Sequence, residues 1–409
     1  MKTFNPKNLM VSAMTAATLS LGAGGVMADD HPIHFGGIYI LSGSAATYGE
    51  FAQEGINLAI DEINQSGGIL GRQVEVTFED SQGKAATAIQ AARKLAYQDN
   101  VDALLGLDSS GVAQGMVPTV PELQKPFIIT HAATPDVTGN LCNEFTYRIS
   151  VNVPQNQKAA ARIAAKTDAK RWTTIGPDYA FGHQTWEYFG NYLKELKPDV
   201  ELMEQTAFPR FGAEDFTPFI NGIMDADPDG VIISVWGGDL VNFVRQATNL
   251  GFFDQGYELM FTVGAATEVL DALGDRMPEG VWLSTRYWYD AYDNELNQKF
   301  VKAYMDRYDH APSYNAQGAY SAIYAYKQAM EAAGTTDGPA VAKALSGMTM
   351  EATNGTVTFR KADNQAMVSP TWGKTGPMHP EHGIRTLTDI QVFDGEDISR
   401  APEETGCSL

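Results

Sequence analysis

The sequence predicts an α/β protein built as two doubly wound lobes. The chain has 409 residues, more than one core of ordinary size accommodates. Short apolar runs alternate with stretches at helical spacing, the β-α order of a parallel sheet covered by helices. The same alternation restarts after FTYRISVNVP (145–154), which places the first passage between lobes near 148–153.

In the first lobe HFGGIYIL (34–41) reads as a strand. The segment 51–68 follows as a helix, with Ile56, Ala59, Ile60 and Ile63 on one face and Gly67-Gly68 as its stop. QVEVTFED (73–80) alternates at period two, KAATAIQAARKLAYQ (84–98) is helical, and VDALLG (101–106), GVAQGMVPTVPEL (111–123) and PFIIT (126–130) continue the series. The second lobe repeats this grammar. Helices are expected at 156–166, 182–196, 215–225, 239–250 and 266–273. Between them lie the strands WTTIG, ELMEQTAF, GVIISVW, LMFTV and GVWLST. Two amphipathic helices follow at about 293–308 and 315–333, whose Tyr304, Tyr308, Tyr320 and Tyr324 read as packing residues. GTVTFRKADNQAMVSPTW (355–372) reads as a hairpin.

Residues 1–28 read as a cleaved signal peptide: Lys2 and Lys7, an uncharged tract of small and apolar residues, and Val26-Met27-Ala28 as the cleavage site. No cysteine follows the tract, so a lipoprotein anchor is not expected, and the mature chain is expected in the periplasm. The formal net charge of −21 argues against a nucleic-acid partner, which needs a basic surface. With 44% hydrophobic and 19% charged residues the composition is that of a soluble globular protein. Export permits a disulfide, and Cys142 and Cys407, the only two cysteines, allow one intramolecular pairing. Two separate thiols are the alternative.

Ligands of open α/β sheets sit beyond the carboxyl ends of the strands. Two tracts fall there, GLDSSGVAQG (106–115) and THAATP (130–135). Their small and hydroxyl residues, with the free N–H groups of a helix start, suit one carboxylate. Ser110 and Thr134 would give hydroxyl bonds and Ala132 backbone contacts; ordinary helix caps and turns would use the same residues. Catalytic motifs are missing. Ser44 and Ser110 lack the flanking glycines of a nucleophile elbow, and there is no phosphate-binding loop. GGILGR (67–72) follows a helix rather than a strand, the wrong order for a dinucleotide turn. His379 and His382 in HPEH have no second ligand pair, and His131 has no nucleophile or partner acid in sight. Neither an enzyme, a cofactor nor a metal is therefore expected.

The order of these motifs resembles the type I periplasmic solute-binding proteins of ABC transporters, in the leucine/isoleucine/valine-binding group. The resemblance spans nearly all of 34–400. Its markers are residues 37–76, LLGLDSSGVAQGMVP, PFIITHAATPDVTG, FTYRIS, DYAFGHQTWEYF, DFTPFI and RQATNLGF. It implies two Rossmann-like lobes, 29–150 with about 286–368 and 151–285 with about 369–409, joined by a three-segment hinge and closing on a ligand. It further implies Ser110, Ala132 and Thr134 as a carboxylate cradle. Tyr48 and Phe181 would be aromatic ligand contacts, and an ABC permease the partner of a monomeric chain. In that group an acid just after LMFTV pairs with the ligand's ammonium. Here Gly264 stands in its place, Glu268 lies four residues later, and Asp239 in VWGGDL is a substitute at another strand end. A branched-chain or related amino acid is the favoured ligand. If no acid reaches the cleft, an amine-free ligand such as an aromatic carboxylate or an amide is the alternative, and an exported ligand-sensing module is a further one. RYWYD (286–290), near the second passage, is a candidate wall or hinge packing.

Overall fold

The computed structural model describes Met1 and residues 31–409; the expected signal segment, apart from Met1, lies outside the described residues. Two sheets organise the chain from Pro32 onward. The first holds β1 (Ile33–Tyr39), β2 (Val74–Asp80), β3 (Ala103–Gly106), β4 (Phe127–Ile129) and β5 (Thr146–Arg148), all parallel, in the order β2-β1-β3-β4-β5. Its connecting helices are α1 (Ala46–Gln65), α2 (Ala85–Tyr97), α3 (Ser110–Met116) and the single turn α4 (Val120–Leu123). β3 and β4 are buried at every residue, as strands covered on both faces must be.

The second sheet is built on α5 (Val153–Ala164), β6 (Arg171–Ile175), α6 (Ala180–Leu196), β7 (Glu201–Leu202), α7 (Thr217–Ala226), β8 (Gly230–Ile233), α8 (Gly237–Asn249), β9 (Glu258–Phe261), α9 (Thr267–Leu273) and β10 (Trp282–Thr285). α5 starts where Asn152 and Gln155 cap each other reciprocally, so the chain leaving β5 is fixed in direction as it enters the second lobe. The strand expected over 201–208 contracts to the two residues of β7, because 203–208 runs past the sheet edge with one bridge, Ile175 to Ala207.

From β10 the chain returns to the first lobe as α10 (Glu295–Tyr308), α11 (Tyr314–Ala333) and α12 (Gly338–Leu345). α11 lies directly on α1: a Cβ on Gly55 would stand 2.1 Å from the carbonyl oxygen of Ala316. The tyrosines read as packing residues also bond to α1. Tyr320 and Tyr324 donate to Glu62 Oε2 at 2.6 and 2.7 Å, and Tyr308 donates to the carbonyl of Glu54 at 3.0 Å. The expected hairpin is displaced. β11 (Thr349–Ala352) pairs with β12 (Gly355–Thr358), so the turn falls at 353–354. The apolar residues after it instead cross back to the second sheet, where β13 (Thr371–Met378) and β14 (Arg385–Val392) extend the order to β14-β13-β10-β9-β8-β6-β7. α13 (Gly395–Ile398) then packs on α5.

The chain thus passes between the sheets at 149–152, at 286–294 and at 359–370. The first and third passages are joined: Arg148 N–H donates to Asn364 O at 3.1 Å and Ala366 N–H to Arg148 O at 2.8 Å. The tail beyond α13 returns to the first lobe, where Cys407 is bonded to Cys142. The closed loop is long, with a sequence separation of 265, so the bond removes much entropy from the unfolded chain. Cys407→Ser is expected to lower the unfolding free energy by about 2–4 kcal/mol, measured as an earlier urea midpoint.

Candidate functional site

A nearly filled cavity of about 10 Å³ lies between the lobes. Asp108, Ser110, His131 and Ala133 line it from the first lobe, Tyr179, Phe181, Trp236 and Val263 from the second, and Arg286 from the second passage. Asp108 and Ser110 follow β3, His131 and Ala133 follow β4, Trp236 follows β8, Val263 follows β9, and Arg286 follows β10 directly. The cavity therefore sits at the carboxyl ends of both parallel sheets, where strands stop and side chains are free to converge.

Two charged residues reach it. Asp108 Oδ2 accepts from Ile40 N–H at 2.6 Å, and Oδ1 lies 3.4 Å from His131 Nδ1. Burial pushes this carboxyl up to about 7, against the pull of the Ile40 N–H and the Arg286 guanidinium. Burial, and after it the charge of Arg286, holds His131 well below the usual imidazole range, so the ring is neutral. Its Nδ1–H then serves Asp108, and Nε2 accepts from Tyr314 OH at 3.3 Å. Arg286 donates through Nη1 to the carbonyl of His131 and lies over the Tyr314 ring at 5.1 Å. It is 8% exposed, and among the described residues no carboxylate comes within 4 Å to pair with it. A buried guanidinium with five donors and a single hydrogen-bonded acceptor keeps donors free to meet an anion. The walls are aromatic: Trp236 stacks on Phe211 at 4.8 Å and donates through Nε1 to Tyr179 OH at 2.9 Å.

The structure brings the sequence candidates to the region of the cavity in different roles. Ser110 and Phe181 line it, and Ser110 Oγ accepts from Thr134 N–H at 3.1 Å. Ala132 and Thr134 stand behind the lining. Ala132 N–H is taken by Leu107 O at 2.8 Å, and the Thr134 hydroxyl donates to Asp136 Oδ2 at 3.1 Å. Arg148 donates to the carbonyls of both. Tyr48 is fully buried, stacks on His131 at 5.2 Å and accepts from Gly237 N–H at 3.3 Å across the lobes. Asp239 does not line the cavity: Oδ1 accepts from Ser44 Oγ of the first lobe at 3.2 Å and Oδ2 from Gly212 N–H at 2.6 Å. It does not cap α8 either, whose first turn it occupies. Gly264 lies against Phe261 and Leu283. Arg286 is the residue that sequence reasoning missed. Its signal was a lone cation at the head of the aromatic run RYWYD, read there as a wall or hinge packing. His379 and His382 stack on each other at 4.1 Å near the turn between β13 and β14, away from this cavity.

The sequence profile of the periplasmic binding proteins matches residues 32–372, and the chain belongs to that family. A Leu/Ile/Val-binding protein homolog 4 of Brucella melitensis is 23% identical over 98% of both chains. The crystal structure of an amino acid ABC transporter substrate-binding protein from Pseudomonas fluorescens superposes with a TM-score of 0.82. That protein is 25% identical, over 93% of this chain and 99% of its own. A solute-binding protein of an ABC transporter from Rhodopseudomonas palustris, in complex with benzoate, gives a TM-score of 0.79 at 21% identity, over 93% and 100%. The chain is a substrate-binding protein of the ABC transporter type and not an enzyme. Its family takes a small-molecule ligand and works with permease subunits. Among the described residues no helix is long and apolar enough to cross a membrane.

Gly264 tests whether an acid fits at the position where the resemblance led one to be expected. A Cβ there would lie 2.7 Å from Phe261 Cβ and 2.8 Å from Leu283 Cδ2. Gly264→Asp is expected to cost about 1–3 kcal/mol of stability by overpacking, measured by urea unfolding of the ligand-free chain.

Proposed function

We propose that this chain captures a small amine-free carboxylate, in first place an aromatic monocarboxylate, and delivers it to an ABC permease. It does so as a monomer in the periplasm, after loss of the signal segment 1–28, by closing the lobe 29–150 with 286–368 on the lobe 151–285 with 369–398, the tail beyond α13 staying with the first lobe through Cys407. The observation that carries the reading is Arg286, a buried cation at the cavity whose guanidinium has no carboxylate partner among the described residues. A ligand carboxylate supplies that partner, and Ser110 adds a hydroxyl donor. Ala132 and Thr134 hold the loop behind, Phe181 gives aromatic surface with Tyr179 and Trp236, Tyr48 backs His131, and Asp239 joins the lobes beside the cavity.

A branched-chain amino acid, the ligand that the Brucella relative's name suggests, also brings an ammonium. A buried ammonium needs an anionic or strongly polar partner, since leaving it unpaired costs several kcal/mol. Among the carboxylates where the lobes meet, Glu268 keeps one oxygen without a partner but does not line the cavity, and the others are already engaged. Asp108 serves Ile40 and His131, Asp239 serves Ser44 and Gly212, and Asp136 accepts from Gln114 and Gln184 at 2.5 and 3.1 Å. The aromatic walls, Tyr179, Phe181 and Trp236, suit one flat ring, which enters when the lobes move apart. The Rhodopseudomonas neighbour holds benzoate in the same fold.

A thermal-shift screen across amino acids, benzoates and aromatic amides tests the ligand class. A ligand at a hundred times its dissociation constant stabilises by about 2.7 kcal/mol, and the benzoates are expected to give this shift. A response confined to amine-bearing ligands would overturn the reading. Arg286→Met is expected to weaken carboxylate binding about 10- to 100-fold, the worth of one charge-assisted contact, as read by calorimetry. Asp239→Asn is expected to leave the charge preference unchanged, because that carboxylate faces Ser44 and Gly212 rather than the cavity.

A further inference from the structure

A further carboxylate is buried where the lobes meet, outside the cavity lining. Glu268 stands in the first turn of α9 in the second lobe and is 5% exposed. Its Oε1 accepts from Asn315 Nδ2 at 2.5 Å, and Asn315 belongs to α11 in the first lobe. Thr267 Oγ1 donates to Ala311 O at 3.1 Å in the same contact. Two atoms of this pair are buried without a hydrogen-bond partner, Glu268 Oε2 and Asn315 Oδ1. Both are acceptors while Glu268 is ionised, so the contact lacks a donor. A single proton on the carboxyl supplies one.

We propose that closing the lobes takes up a proton at Glu268, so that capture of the ligand strengthens as pH falls through neutrality. This rests on the reading that the two lobes separate and close around a ligand. When they separate, Glu268 leaves α11 and meets water.

The groups around the closed contact stabilise the ionised form too little to offset its burial. From α1 come Tyr48 and Glu54, from α10 Tyr304, from α11 Tyr314 with Asn315, and from the segment between α10 and α11 His310 and Ser313. α9 itself adds Asp271, whose charge acts on His310. His310 is the one cationic group of this set, and Glu54 Oε2 already holds it at 3.4 Å. Burial pushes Glu268 up to about 7 in this setting, and its own backbone N–H and the Asn315 amide oppose it only in part. In the open form the carboxyl returns toward the ordinary range, about 4.3. The closed form therefore binds the proton more tightly. Closure is unpenalised below the open-form value, the penalty grows as pH rises between the two values, and it is complete above about 7. Asp239, raised by burial at the same lobe interface, and Asp108 in the cavity wall titrate in the same direction, so the test isolates Glu268 by substitution.

Small-angle scattering of the ligand-free chain, from about pH 5 to about pH 8, reads the lobes directly. The wild type is expected to become more compact as pH falls. Glu268→Gln supplies a permanent N–H donor and is expected to flatten that profile. Asn315→Asp places two carboxyls in one contact, which hold a shared proton harder, and is expected to move the transition to higher pH. With benzoate as the probe, calorimetry in buffers of different ionisation enthalpy is expected to show wild type taking up close to one proton more than Glu268→Gln near pH 6. Wild-type affinity should fall on the order of tenfold from pH 5.5 to 7.5, beyond any fall in the variant. Superimposable scattering profiles for wild type and Glu268→Gln, or a wild type that does not respond to pH, would overturn the proposal. A failure of benzoate to bind would count against the ligand class alone, since the scattering uses no ligand.

Discussion

The buried guanidinium of Arg148 is the contact on which the site depends. It is fully buried at the end of β5, where the chain first leaves the first lobe. Nε donates to Gln365 Oε1 at 2.6 Å, Nη2 to Thr138 Oγ1 at 2.7 Å, and Nη1 to the carbonyls of Ala132 and Thr134. Gln365 lies on the third passage and in turn donates to Ser150 O at 3.0 Å on the first. One side chain thus fastens two of the three connections between lobes to the loop behind the cavity. Its charge is met by several neutral acceptors, the condition under which a buried cation is tolerated. The carbonyls of that loop are drawn toward Arg148, and His131 and Ala133, the residues between and beside them, are left to line the cavity.

Arg286 plays the opposite part. Arg148 is saturated by the protein, whereas Arg286 has one protein acceptor and an aromatic ring beneath it. The formal charge of −21 belongs to the chain as a whole and does not set the sign of the cavity. At physiological salt a surface charge is screened over about 8 Å, while a cation in a buried cavity acts at contact range with little water between. An acidic protein can hold an anion for this reason. Asp108 does not cancel the cation, since its oxygens are turned to Ile40 and His131 and its ionised form is disfavoured by burial.

The lobes meet through a modest number of polar contacts. Gly238 N–H donates to Ser44 O at 3.0 Å, Ser44 Oγ to Asp239 at 3.2 Å, and Gly237 N–H to Tyr48 OH at 3.3 Å. Each such bond contributes about 0.5–1.5 kcal/mol net, because water satisfies the same groups when the lobes part. In the proposed opening and closing of the lobes, contacts of this kind add little each to the closed form, so a ligand bond to Arg286 and the protonation of a buried interface acid would bias that equilibrium.

The sequence by itself determined the α/β class, the two lobes and the place of the first passage, because these rest on local periodicity and on the restart of the β-α order after FTYRISVNVP. It also marked Ser110 and Phe181, which lie at strand ends or helix starts, and it allowed one pairing for Cys142 and Cys407, which the structure shows bonded. The hairpin after α12 was misplaced, since β13 is recruited by β10 from far along the chain and nothing local records that partner. Whether Ala132, Thr134 and Asp239 face a ligand or the protein was equally out of reach. All three are strand-end residues in the sequence, and only the positions of Leu107, Arg148, Ser44 and Gly212 decide where their polar groups turn. Arg286 and Glu268 show the same limit. An arginine and a glutamate in sequence are ordinary surface residues. Their chemistry here comes from burial against the other lobe, a property of tertiary contact between segments that are distant in the chain.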